Sequence, residues 1–130
     1  MATWDDVRRL VATLPETAEG TSYGSMAWKV KGKLMVWERP LRAADFAALG
    51  EAAPDGDVLG AAVEDEGVKH ALIADRPDVY FTTPHFDGYA AVLVALDAID
   101  PGDLEELITD AWLAKAPKRS AAKFLTDRTG

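Results

Sequence analysis

The chain has no cysteine and only two histidines among its 130 residues. The absence of thiols excludes disulfides, thiolate metal sites and cysteine nucleophiles, and a reducing, cytoplasmic setting is the expectation. Long apolar runs are missing as well: the longest, Tyr89 to Leu96, is far shorter than the roughly 20 residues of a membrane helix. No basic segment leads into an apolar core near Met1, so neither export nor membrane association is expected. Neither of the glycine-rich strings that cradle nucleotide phosphates occurs. A serine triad would need Ser22, Ser25 or Ser120 beside His85 and a carboxylate, and no nucleophile elbow is expected. The consecutive carboxylates Glu64, Asp65 and Glu66 suit the start of a helix, whose dipole favours negative charge, rather than chelation. The expectation is a protein without catalytic residues, metal or cofactor.

Positive charge is scarce too. Fourteen Lys and Arg stand against 22 Asp and Glu, a net charge of -8 with an isoelectric point near 4.6. This acidity opposes general attraction to nucleic acid or anionic lipid. The exception is local: residues 111–130 carry Lys115, Lys118, Arg119, Lys123 and Arg128 against Asp127, leaving the excess of acid on the other 110 residues.

With 48% apolar residues, the chain has enough to build one core, and a single domain over 1–130 is expected. Thr3 and Asp6 read as a capping box for a first helix, with Val7, Leu10, Val11 and Leu14 as its apolar stripe and Pro15 as its end. Glu16 to Gly24 reads as a loop. Met26, Trp28 and Val30 alternate as in a half-buried strand, Lys31-Gly32-Lys33 turns the chain, and Leu34 to Glu38 returns; whether the turn has two or three residues stays open. Ala43 to Leu49 forms a short helix in an excursion between Pro40 and Gly56. A strand over Val58 to Val63 follows, then a helix from Asp65 with Val68, Ala71 and Leu72 inward and His70 in solvent. Two further strands, Val79 to Thr82 and Ala90 to Leu96, flank the segment Thr82 to Tyr89. Asp100 and Pro101 open a helix whose Leu104, Leu107, Ile108, Ala111 and Trp112 hold one face. After Pro117 comes a short basic helix. The class is α+β: an antiparallel sheet of about five strands in the order helix, three strands, helix, two strands, helix, with an extra C-terminal helix.

In this frame the chain resembles the MmcQ/YjbR family. The resemblance is carried by Leu14-Pro15, Thr21-Ser22-Tyr23-Gly24, the run Trp28 to Lys33, the block Thr82 to Tyr89, Asp110-Ala111-Trp112 and the run Ala116 to Arg119. It implies a fold similar to secretion chaperones, helix-β3-helix-β2-helix, and members are commonly labelled DNA-binding.

Two binding sites follow as candidates. Lys29, Lys31 and Lys33 on one hairpin, with Lys115, Lys118, Arg119 and Lys123 near the last helix, form two basic prongs able to neutralise DNA phosphates. Alternatively, hydroxyls of Ser22, Tyr23, Thr82, Thr83 and Tyr89 and the imidazole of His85 line a small-molecule pocket, provided that the two loops converge. Trp28 and Trp112 lie on apolar stripes and are expected in the core rather than stacked on bases. A protein-interaction module is a third reading.

Overall fold

The computed structural model describes residues 2–129, the side chains of Arg128 and Thr129 excepted. Helix α1 (Trp4–Ala12) begins at the anticipated capping box: the Thr3 hydroxyl accepts the Asp6 amide, and Asp6 accepts the Thr3 amide at 2.9 Å. It ends at Thr13, before Pro15, and buries Val7, Leu10 and Val11.

The stretch expected as a loop is instead largely a strand, β1 (Thr17–Ser22), paired antiparallel with β2 (Ser25–Val30). It has no apolar alternation because it is an edge strand with four exposed residues in a row, Ala18 to Thr21. Backbone pairing alone defines it. β3 (Lys33–Glu38) follows across a turn whose register, Val30 opposite Lys33, fixes a two-residue connection. Tyr23-Gly24 and Lys31-Gly32 both carry positive φ at each residue. These are the primed turns whose twist matches that of paired strands, and they explain why glycine stands second in each.

The excursion after Glu38 contains helix α2 (Ala43–Leu49) and one 3-10 turn at Gly50–Ala52. It is tied down by Asp45, which accepts the Arg42 amide and lies 3.1 Å from the Arg39 guanidinium, both side chains of this ion pair being almost fully buried. Strand β4 (Val58–Ala62) then enters the middle of the sheet with every residue buried. Its glycine has a packing reason: a Cβ on Gly60 would run into the Trp37 ring.

Helix α3 (Glu66–Asp75), capped by the Asp65 side chain on the Val68 amide, leads to β5 (Tyr80–Phe81) and β6 (Ala91–Ala95). Of the inward face expected for α3, Leu72 is half-buried and packs against the core together with Ile73, whereas Ala71 is exposed, Val68 is 37% exposed, and the fully buried residue is Lys69. α3 meets the sheet chiefly at its β5 and β6 end, with Leu72 and Ile73 reaching the core and no long apolar stripe laid across the strands. The strands form one antiparallel sheet of order β1-β2-β3-β4-β6-β5 in an α+β domain.

Helix α4 (Pro101–Lys115) buries all five residues of its stripe against that sheet. Asp100 sits at its N-cap position but makes no side-chain capping bond, and Pro101 supplies the preset first turn. Trp112 is fully buried, and its indole N–H donates to the Pro15 carbonyl at 2.9 Å across 97 residues of sequence. Trp28 is likewise buried and donates to Glu19 at 2.9 Å. Helix α5 (Lys118–Thr129) packs back through Phe124, whose ring lies 4.8 Å from that of Trp112.

Candidate functional site

The hairpin and tail lysines are brought together by one residue. Glu16, held at φ 63°, accepts the Lys31 amide on its carbonyl at 3.1 Å. Its carboxylate accepts the Ser120 hydroxyl at 2.6 Å and pairs with the Lys31 ammonium at 3.0 Å. The Ser120 bond first, then Lys31 and the nearby Lys123, hold the Glu16 carboxyl below its ordinary range. The β2–β3 turn and the first turns of α5 are therefore fixed against each other. Lys33, Lys115 and Lys118 lie together on a cleft wall beside this junction. Five cations thus collect at one corner: Lys31, Lys33, Lys115, Lys118 and Lys123. Lys29 does not join them. It projects from the sheet face opposite Trp28 and Val30, which point to the helices. Arg119 is exposed and shares the α5 row of Ala122 and Thr126, one residue removed from the Ser120 contact.

The second candidate site does not assemble. Ser22 and Tyr23 stand on β1 and its turn at one edge of the sheet, whereas Thr82 to Tyr89 connects β5 and β6 at the other. Strand directions put the two connections at opposite ends as well. The loops are thus separated by the width of the sheet, roughly 4.8 Å for each strand step. Tyr23 is 99% exposed at its turn and Tyr89 is also exposed. The string Gly20-Thr21-Ser22-Tyr23-Gly24 does spell the elbow pattern of serine hydrolases. Here it forms β1 and a hairpin instead of a strand-to-helix turn, with Ser22 opposite Ser25 and far from either histidine.

The Thr82 to Tyr89 block does structural work. Its 3-10 turn, Pro84–Phe86, sends Phe86 over the sheet face that α4 does not cover, 6.4 Å from the Trp37 ring and beneath the Arg39 guanidinium at 5.4 Å. His85 is exposed and meets Phe86 edge-on at 4.8 Å. Beneath the block lies Lys69, 1% exposed, whose ammonium donates to the Phe86 and Tyr89 carbonyls at 2.7 and 3.1 Å. The Thr83 hydroxyl is buried among the described residues without a hydrogen-bond partner. A lysine inside a helix reads as solvated, so Lys69 carries no sequence signal. Among the described residues no group of His, Asp and Glu is arranged to hold a metal ion, and no helix is long and apolar enough to cross a membrane.

A cleft of about 1080 Å³ lies between α3, α4 and α5. Its apolar lining includes Val68, Leu72, Tyr80, Leu107, Leu113 and Leu125. The carboxyl of Asp110 in its wall is raised above the ordinary value by burial and by neighbouring Glu106 and Glu64. The Tyr80 phenol is raised by burial and by Asp103 and Glu106.

The chain is 58% identical over 130 residues to uncharacterized proteins of Mycobacterium bovis and Mycobacterium tuberculosis, with 98% of each sequence covered. Its fold is similar to the crystal structure of Deinococcus radiodurans protein DR2400, a DUF419 domain, with a TM-score of 0.66 and 22% identity over 87% of this chain and 78% of that one. The YjbR family model matches residues 12–114, a span that includes both primed turns and the Pro15 to Trp112 bond, and the chain belongs to the YjbR family.

Proposed function

We propose that the protein is a non-enzymatic binding protein that contacts the DNA phosphate backbone through the corner formed by the β2–β3 turn and the start of α5. The observation that carries this reading is the double contact of Glu16, with Lys31 on one side and Ser120 on the other. It turns two basic segments far apart in sequence into one surface. Lys33, Lys118 and Lys123 are exposed there beside Lys31, which pairs with Glu16, so they can neutralise phosphates and release the cations condensed on the DNA. The acid on the remainder of the chain confines the contact to this corner and keeps it salt-sensitive.

The test is an amide chemical-shift titration with a short DNA duplex at low and at moderate salt. Shifts should concentrate at residues 31–33 and 115–123 and shrink as salt rises. An unchanged spectrum at low salt would refute DNA contact.

A further inference from the structure

The cleft between α3, α4 and α5 shares Lys33, Lys115 and Lys118 with the basic corner, but the rest of its lining is apolar and, where charged, mostly acidic. Among the described residues five large hydrophobic ones are exposed, and two of them, Val68 and Leu125, stand on its walls, above a lining of Leu72, Tyr80, Leu107 and Leu113. The cleft is an open groove of about 1080 Å³ bounded by three helices rather than an enclosed pocket. Asp103, Glu106 and Asp110 follow one another along α4 at spacings of three and four residues, which places them in a single row on the cleft side of that helix. Glu64 and Asp75 face them from the α3 side. Among the described residues no cation comes within ion-pair distance of any of these five carboxylates. Arg76, which also lines the cleft and feels the charge of Asp103, makes its ion pair with Asp78 at 3.0 Å instead.

We infer that the cleft is a docking groove for a cationic amphipathic helix of another protein. The apolar lining takes the helix's hydrophobic stripe, and the carboxylate row of α4 takes Lys or Arg repeating at the same three- and four-residue intervals. The match is one of period as well as sign: a partner helix lying along α4 keeps its charges in step with Asp103, Glu106 and Asp110 over about two turns. Cations entering the row relieve the repulsion of Asp110 by Glu106 and Glu64, which adds to burial in raising its carboxyl. Lys33, Lys115 and Lys118 close the far end and repel a helix whose positive charge extends past the row.

The probe is a Leu/Lys amphipathic helical peptide of about four turns, compared with the same peptide carrying Glu for Lys, by fluorescence anisotropy and amide shifts at near-physiological salt. The Leu/Lys peptide should bind with shifts along α3 and the cleft face of α4, and the Leu/Glu peptide should not bind. The double variant Glu106→Gln with Asp110→Asn should weaken binding roughly fivefold or more, two exposed ion pairs being removed, while Glu105→Gln on the same helix should not. Both substitutions in the double variant are isosteric and sit outside the core, so its amide spectrum should otherwise match wild type. Equal binding of the two peptides, shifts outside the cleft, or an unchanged affinity of the double variant overturns the proposal. So does occupation of the cleft by dodecylammonium when the peptide does not bind. Lys31→Ala, which bears on DNA contact, should leave peptide binding intact, so the two readings fail separately.

Discussion

Helices α4 and α3 face each other across the cleft, and they are held by opposite means. α4 offers an unbroken stripe, Leu104, Leu107, Ile108, Ala111 and Trp112, and is sealed to the sheet along its length. α3 has one buried residue, Lys69, whose ammonium grips two backbone carbonyls of the β5–β6 connection. The sealed helix leaves mainly its carboxylate row for a partner, whereas the propped one leaves Val68 and Leu72 on an open wall. The function proposed for this face thus depends on α3 being anchored without being packed flat.

The contrast breaks most severely at Trp112. Trp112→Ala removes a fully buried ring and its bond to Pro15 and should cost about 3–5 kcal/mol of stability, read from urea unfolding. Lys69→Met keeps the volume but leaves the Phe86 and Tyr89 carbonyls without their donor. A loss of about 1–3 kcal/mol for each orphaned acceptor is expected. Faster amide exchange confined to α3 and residues 82–90 would mark this as loss of an anchor and not of the core.

A smaller effect of opposite sign comes from Asp110. Its folded-state pKa is raised, first by burial and then by Glu106 and Glu64, so the folded chain binds its proton more readily than the unfolded chain does. The penalty is therefore absent below the ordinary carboxylate pKa, grows as pH rises through the raised value, and is fully present at neutral pH. Asp110→Asn should stabilise the protein at pH 7 by on the order of a few tenths of a kcal/mol, after solvent screening, and leave stability at pH 3 unchanged. Thermal unfolding at the two pH values measures the difference.

The same contrast explains what could be read from the chain alone. α4 and the β2–β3 hairpin announce themselves because their apolar residues repeat at the period of the element that buries them. β1 has no such repeat: at the edge of the sheet its side chains meet solvent, and only its pairing with β2 makes it a strand. Lys69 is silent because nothing local distinguishes an ammonium that will meet carbonyls 17 and 20 residues away from one that will meet water. The seven candidate DNA-contacting residues were legible as charge. That five of them share a corner depends on Glu16, whose partners lie 15 and 104 residues along the chain. The Tyr23 and Thr82 to Tyr89 motifs were legible as well, but they mark a turn and a packing block rather than two walls of one pocket.

The most direct test of the functional account is the salt dependence of duplex DNA affinity for the wild type and for the double variant Lys31→Ala with Lys118→Ala. Each lysine that displaces counterions contributes about 0.9 to the slope of log K against log salt. The corner predicts a weaker affinity for the variant and a slope shallower by about one unit for Lys118, with a smaller share from Lys31, whose ammonium is already paired with Glu16. An identical slope and affinity in the two proteins would contradict it.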